Sequence, residues 1–335
     1  MADLARLAGR SFLVIGRAGM DLYADPPGTR VDAATQFSAA LGGSAANIAV
    51  ALVRQGCRAA LLTCVSDDAV GRFCLAQLGA FGVDRAHVRA VAGERRTSLA
   101  VVETRMEDGQ SVIYRNNAAD FALTVSDVKA AKPARFSALI LTGTALAAEP
   151  SRGAVARAVA LARAAGVPVV FDVDYRPYSW TSAAEAAAVY AEVAALCDVV
   201  VGNEEEFAVM AGPGQRGLDR ARGLIEAGAQ IVVYKRGEAG AVTLTREAAF
   251  ATGVFPTRAI KPTGAGDSFL GAFVAGLATG AQVRAAVLRG SAAAAMVVAR
   301  VGCAPAMPSR AEVDAFLART PPPPQEGDPD AYSPP

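Results

Sequence analysis

The chain has 335 residues, 53% hydrophobic, 19% charged and 6% aromatic, a length and composition that suit one large core or two modest ones. With 33 Lys and Arg against 32 Asp and Glu, the net charge of +1 gives no electrostatic reason to expect nucleic acid or an anionic membrane as partner. A single histidine, His87, excludes multi-histidine metal sites and leaves carboxylates, backbone amides, Lys and Arg to carry any chemistry.

The opening residues, MADLARLAGRSFLVIG, hold a short apolar run without a long h-region and small-residue cleavage site, and no apolar stretch is long enough for a membrane span. The five cysteines are scattered with no CxxC pair, which argues against a disulfide framework or a zinc site and fits a reducing cytoplasm. Residues 11–16 (SFLVIG) read as a buried strand entering a Gly-containing loop, GRAGMD. Residues 44–56 carry apolar side chains at helical spacing, 59–65 read as the next strand, and 68–81 as a helix stopped by Gly82. This β-α-β-α rhythm predicts parallel strands with crossover helices.

Residues 97–114 break the rhythm. SLAVVET and QSVIYR alternate around RMEDG, where Asp108-Gly109 is a hairpin signal, and such an insertion predicts an accessory flap. The parallel rhythm then returns: strands at 138–141, 167–172, 199–201 and 230–234 alternate with helices at 151–165, 183–196 and 218–227. Segments 241–245 and 248–252 suggest an antiparallel pair, and 266–280 and 282–298 read as two long apolar helices. The text from 320 to 335 is Pro-rich and apolar-poor, and is expected to be disordered.

KPTGAGDSF (261–269) sits between a strand-like segment and a long apolar helix. The small residues Gly264, Ala265 and Gly266 let backbone N–H groups converge at the helix start, which makes an anion site. Asp267, in the first helical turn, is placed to accept a proton from a hydroxyl attacking a phosphate. Read by itself the segment equally suits an ordinary Gly-rich turn with a favourable helix N-terminal charge. No GxxxxGK[ST] occurs, and GRAGMD does not fit GxGxxG.

LGGSAAN near the N-terminus, GNEEE (202–206) and TGAGDSF together resemble the ribokinase-like (PfkB) family of carbohydrate kinases, in matching order over residues 11–318. GRAGMDLY, YRNNAADFAL, FDVDYRPYSW, KPTGAGDSF and VARVGCAPAMP are similar to the branch acting on 5-dehydro-2-deoxygluconate in inositol catabolism. The branch acting on 2-keto-3-deoxygluconate shares the Tyr-Arg and Asp-x-x-x-Arg elements. The resemblance implies a three-layer α/β/α sandwich with a mostly parallel central sheet, forming one kinase domain over residues 11–318. It also implies a small β-sheet lid from about 17–40 and 97–118. The implied activity is cytoplasmic, ATP- and Mg²⁺-dependent phosphorylation of the 6-hydroxyl of 5-dehydro-2-deoxy-D-gluconate, in a chain that can dimerise through the lid. The alternatives are a 2-keto-3-deoxygluconate kinase, another PfkB sugar kinase, or a catalytically silent sugar-binding regulator.

Carried onto this sequence, the resemblance makes Asp267 the general base with Gly264, Ala265 and Gly266 as its anion hole. Asp21, Gly43 and Asn47 match positions that hold substrate hydroxyls, against the plainer readings of turn aspartate, helix-entry glycine and capping amide. Arg115 and Arg176 are unranked candidates for the substrate carboxylate, because guanidinium matches carboxylate geometry. For Arg176 the competing reading is an ion pair with Asp172 or Asp174. Asn203 and Glu206 match an N-x-x-E element tied to Mg²⁺ through water, although three consecutive acids also suit a helix start. Lys235, Gly237, Thr263, Gly264, Gly266 and Ser291 fall on the nucleotide side. There, Gly290 and Ser291 equally suit plain helix packing. Many members place an Asp six positions before the base, where it helps hold a monovalent cation. Here that position is Lys261, which implies turnover without added K⁺.

Overall fold

Apolar runs form the strands of the main sheet, and the segments between them form the crossovers that parallel pairing requires. The structure, a computed structural model, describes residues 2–323, so the Pro-rich segment from 324 onward lies outside the described residues. The first half runs β1 (Ser11–Ile15), β2 (Gly19–Asp25), β3 (Gln36–Gly42), α1 (Ser44–Arg54), β4 (Arg58–Ser66) and α2 (Ala69–Ala80). It continues through β5 (Val88–Val91), β6 (Ser98–Val102), β7 (Ser111–Tyr114), α3 (Val125–Ala131), β8 (Ala138–Thr142) and α4 (Ser151–Ala164). Next come β9 (Val169–Asp172), α5 (Ala183–Ala194), β10 (Val199–Asn203), α6 (Glu204–Ala211), α7 (Gly217–Ala227) and β11 (Ile231–Lys235). The chain closes with β12 (Ala241–Thr245), β13 (Ala249–Thr252), α8 (Ala265–Ala278), α9 (Val283–Val298) and α10 (Arg310–Arg319).

Nine strands form one sheet in the order β13-β12-β11-β10-β9-β8-β1-β4-β5. Every pair from β5 across to β11 is parallel, and β12 and β13 are antiparallel, as their late position and short connection predict. The sheet is covered on both faces. Leu13 and Ile15 of β1 face a core with α3 to α7, whereas Phe12 and Val14 face one with α1, α2, α8 and α9. That double burial explains why β8 (ALILT) is buried at every position instead of alternating. Strand β5 joins this sheet although its charged, half-exposed sequence carried no strand signal. Helices α3, α6 and α10 are short, and each begins with a capping box that satisfies the first N–H groups.

The remaining four strands form a second sheet, β3-β2-β6-β7, with only the β2–β6 pair parallel. Its strands come from residues 19–42 and 98–114. Asp21 was expected on a loop; it sits instead in the middle of β2, paired in register with Ala40 and Ala100. On the same face as Asp21 lie Tyr23 and Val102, both buried. The opposite face carries Leu22, Phe37, Val101, Val112 and Tyr114, of which Phe37, Val112 and Tyr114 are exposed at 40%, 45% and 59%. Among the described residues, no helix is long and apolar enough to cross a membrane.

Candidate active site

The C-terminal ends of β1, β8, β9, β10 and β11 converge where an open α/β sheet places its ligands. The N-termini of α1 and α8 point to the same place, and the second sheet stands over it. Helix α8 begins at Gly264 with φ 84°, a left-handed conformation that glycine adopts freely. No side chain caps this helix, so its first N–H groups remain available to an anion. A Cβ at 264 would also lie 3.0 Å from the Cys303 sulfur. Beside the turn, the Thr263 hydroxyl is buried with no hydrogen-bond partner among the described residues.

Asp267 lies in the first turn of α8, and its Oδ2 accepts a 2.8 Å hydrogen bond from Asn47 Nδ2. Asn47 belongs to α1, which starts at Gly43 (φ 92°); a Cβ at 43 would sit 2.5 Å from the Arg17 carbonyl oxygen. The two Gly-rich helix starts thus meet through one hydrogen bond. Burial pushes the Asp267 carboxyl up to about 6, reinforced by the nearby charge of Asp174 and opposed by Asn47, Arg176 and Lys235. The Oδ1 of Asn47 is buried and unpartnered among the described residues.

Asp21 reaches in from the second sheet. Its carboxylate fills the space where a Cβ of residue 42 would stand and accepts a 3.1 Å bond from the Tyr23 hydroxyl. Burial raises its pKa, while Arg17, Tyr23 and Lys261 pull the other way. The Tyr23 hydroxyl also lies 3.2 Å from Cys303 Sγ, linking the second sheet to the loop after α9. Lys261 is wholly buried with its ammonium on the Thr263 carbonyl oxygen; burial lowers its pKa against the pull of Cys303, Asp267 and Asp21.

The two arginines ranked equally by sequence differ here. Arg115 is 3% exposed; its guanidinium pairs with Asp120, donates to the Thr144 carbonyl oxygen (2.9 Å) and Ser179 Oγ (3.2 Å), and lies over the Phe121 ring. Arg176 is 43% exposed and pairs at 2.8 Å with Asp174, which also accepts from Thr144 Oγ1. Although burial opposes it, Arg176 together with Ser44 and Arg17 holds Asp174 below the usual carboxylate range.

Asn203 and Glu206 form a reciprocal capping box. The Asn203 N–H donates to Glu206 (2.7 Å) and the Glu206 N–H to Asn203 (2.9 Å), while the Tyr175 N–H donates to the other Glu206 oxygen at 3.3 Å. The carboxylate is buried nevertheless, and burial raises its pKa, as it does for Asp172 beside it. Lys235 ends β11 with its ammonium 3.3 Å from where a Cβ of Gly266 would be, and it opposes the rise in Asp172, Glu206 and Asp267. Gly237 makes the next turn with φ 56°. Gly290 and Ser291 lie on α9; a Cβ at 290 would meet Phe269 at 2.9 Å, so packing against α8 accounts for that glycine. Ser291 is half-buried.

The profile of the pfkB family carbohydrate kinases matches residues 10–310. The chain belongs to this family. As a pfkB carbohydrate kinase it is a phosphotransferase, and its α/β sheet with a small separate sheet is the ribokinase-like fold. The 5-dehydro-2-deoxygluconokinase of Photobacterium profundum is 38% identical over 310 residues, covering 91% of this chain and 94% of its own length. That of Geobacillus kaustophilus is 37% identical over 311 residues, covering 91% and 93%. Among solved structures, a Vibrio cholerae fructokinase with fructose, ADP and calcium bound is 27% identical, with TM-score 0.80 and coverage of 92% and 99%. An E. coli protein described as a candidate ribokinase II, in complex with ATP and Mg²⁺, shares the fold with TM-score 0.83 at 24% identity, covering 92% and 99%.

The ion pair read for Arg176 from sequence is present, with Asp174 as its partner. Several other groups facing this kinase's site were not singled out by sequence. Arg17 lies two residues past the end of β1, so the rule that ligands gather at strand C-terminal ends was the signal that could have found it. Tyr23 is two residues from Asp21 on one strand face, a relation hidden while that segment reads as loop. Cys303 arrives from the far end of the chain, and no local pattern announces it.

Proposed function

We propose that this kinase transfers the γ-phosphoryl group of ATP to the 6-hydroxyl of 5-dehydro-2-deoxy-D-gluconate. The observation that carries the reading is the Asp267 carboxylate, fixed by Asn47 at the uncapped start of α8, with a pKa lifted to about 6. A base with that pKa is ionised at neutral pH yet still basic enough to take a hydroxyl proton. The O6–P bond forms as the proton passes to Asp267, the bond from Pγ to the β-phosphate oxygen breaks, and ADP leaves. The free N–H groups at Gly264, Ala265 and Gly266 stabilise the charge spread over the transferring phosphoryl oxygens. The names of relatives matching over nine-tenths of the chain favour this sugar acid.

Lys235, Gly237, Thr263 and Ser291 are assigned to the nucleotide side, and the unpartnered Thr263 hydroxyl suits a phosphate oxygen. Among the described residues no three acidic, Cys or His side chains form a metal cage. The buried Glu206 has Asp172 near it, with both of its own oxygens already taking backbone N–H groups. That donor set fits Mg²⁺ that arrives with the nucleotide and is reached through water, as a strongly hydrated ion prefers. When bound, Mg²⁺ neutralises charge on the phosphates. Asp21, Gly43 and Asn47 hold the sugar hydroxyls. Arg176, half-exposed although paired with Asp174, is more open to a ligand than Arg115, which is tied to Asp120, Thr144 and Ser179.

Residues 11–318 act as one kinase domain whose second sheet closes as a lid and excludes water that would compete for the phosphoryl group. Five free, buried thiols support a reducing compartment, the cytoplasm. The outer lid face, apolar and bounded by the unpaired edges of β3 and β7, takes a second copy of this chain. Val112→Asp with Tyr114→Asp is therefore expected to convert a dimer to a monomer in light scattering; an unchanged mass removes this face as the interface.

An ADP-release assay over 5-dehydro-2-deoxygluconate, 2-keto-3-deoxygluconate, ribose and fructose tests the reading. Highest kcat/KM on the first, by at least about tenfold, is the expected result. Highest kcat/KM on 2-keto-3-deoxygluconate reassigns the substrate, and no turnover on any of the four leaves a sugar-binding regulator.

A further inference from the structure

Arg17 is not used by any role described above. It lies between β1 and β2, is only 7% exposed, and donates from Nη1 to Ser98 Oγ at 3.2 Å. Among the described residues it forms no ion pair, whereas Arg115 is tied to Asp120 and Arg176 to Asp174. A buried guanidinium with a single neutral partner is costly unless an anion joins it.

Its direction follows from the register of the lid sheet. Ser98 pairs with Gly19 and Ala100 with Asp21, so the Ser98 hydroxyl lies on the face that carries Asp21 and Tyr23 toward the site. A Cβ at Gly19 would stand 3.1 Å from Arg17 Nη1, so the missing side chain at 19 makes room for the guanidinium. Asp21 is close enough to feel Arg17, but its carboxylate is held by the Tyr23 hydroxyl. The charges of Arg17 and Arg176 both reach Asp174 and the hydroxyl of the exposed Tyr178. Arg17 is held on the second sheet through Ser98, whereas Arg176 is paired with Asp174 in the segment after β9. In a six-carbon acid phosphorylated at C6, the carboxylate at C1 is the group farthest from the base.

We propose that Arg17 is the specificity-determining cation of this site, receiving the substrate carboxylate on the side of the cleft formed by the second sheet. The inference rests on the reading that the substrate is a sugar acid. Lid position and substrate charge are then linked, because the carboxylate joins Arg17 on the lid side to the body that holds Asp267.

The test compares 5-dehydro-2-deoxygluconate with its uncharged C1 amide, in the wild-type kinase, Arg17→Gln and Arg17→Lys. A charge-assisted contact of this kind is worth about 10- to 100-fold in the acid's KM. Arg17→Gln is expected to raise KM for the acid by that factor, to leave KM for ATP and for the amide within about twofold, and to erase the acid-over-amide preference. Arg17→Lys is expected to restore part of that preference. If the Gln variant keeps the wild-type preference, or loses kcat equally on acid and amide, the inference is overturned. If it does not fold, loss of the preference in the Lys variant overturns it, because the charge is still present. Failure of the wild-type kinase to use the acid at all instead overturns the substrate reading on which it stands.

Discussion

Asp267→Asn is expected to lower kcat by about 10²- to 10⁴-fold, the usual worth of a positioned general base, and to raise the melting temperature. The two effects share one cause. Burial, with Asp174 close by, raises this carboxyl from 3.8 to about 6, which at neutral pH corresponds to roughly 3 kcal/mol spent holding the charged form inside the protein. The sign follows from proton uptake. Between pH 3.8 and about 6 the folded chain binds this proton more readily than the unfolded chain, so the group's contribution to stability falls as pH rises through that window. Above about 6 the full penalty is present. Asparagine removes the charge and still offers an oxygen to Asn47 Nδ2, so the hydrogen bond that joins α1 to α8 survives. The pH profile gives a second reading of the same group. In the wild-type kinase kcat/KM should fall about tenfold per pH unit below about 6 as Asp267 is protonated. An inactive asparagine variant that melts lower than wild type would mark Asp267 as a structural group. A variant with unchanged turnover would remove it as the base.

The chemistry of the site was more legible than its walls. TGAGDSF and LGGSAAN are local, because a helix N-terminus needs only a few consecutive small residues to expose its N–H groups. The parallel sheet was legible for a related reason: strands buried on both faces leave unbroken apolar runs such as VPVVFD. In the second sheet the hairpin of β6 and β7 was legible from its alternation around Asp108-Gly109, whereas β2 and β3 were not. Strands β2 and β3 lie in a sheet with one apolar face half open, and GMDLYAD places Asp21 and Tyr23 inward where polarity ordinarily signals a loop. Strand β5, with Arg89 in a four-residue element, is too short and polar to announce itself. Equal ranking of Arg115 and Arg176 reflected another limit: sequence places arginines at strand ends without showing which carboxylate each one already holds. Asp120, five residues on, occupies Arg115, and only the packing of Phe121 and Ser179 around it reveals that commitment.

Lys261 is the second residue whose removal should be severe. Its side chain is wholly buried, its ammonium bonds the Thr263 carbonyl oxygen one residue before the Gly264 turn, and its charge is drawn to Cys303, Asp267 and Asp21. Two carboxylates and a carbonyl dipole here share one cation that is part of the chain. A lysine ammonium is a compact point charge with three donors, so it can do the electrostatic work of a bound monovalent ion without exchanging with solvent. Wild-type turnover should therefore be the same in K⁺, Na⁺ and tetramethylammonium buffers. Lys261→Met keeps the volume and removes the charge, leaving Asp21 and Asp267 without their shared neighbour. A fall in kcat of about 10²-fold is expected, since the anion-binding turn loses the group that fixes it. Lys261→Ala keeps the same deficit but opens space beside the Thr263 carbonyl, and there added K⁺ should recover part of the rate while tetramethylammonium, too large for the space, should not. Stimulation of the wild-type kinase by K⁺ would show that the ammonium does not replace an ion. A methionine variant with full turnover would show that the turn at Gly264 holds its shape without the charge.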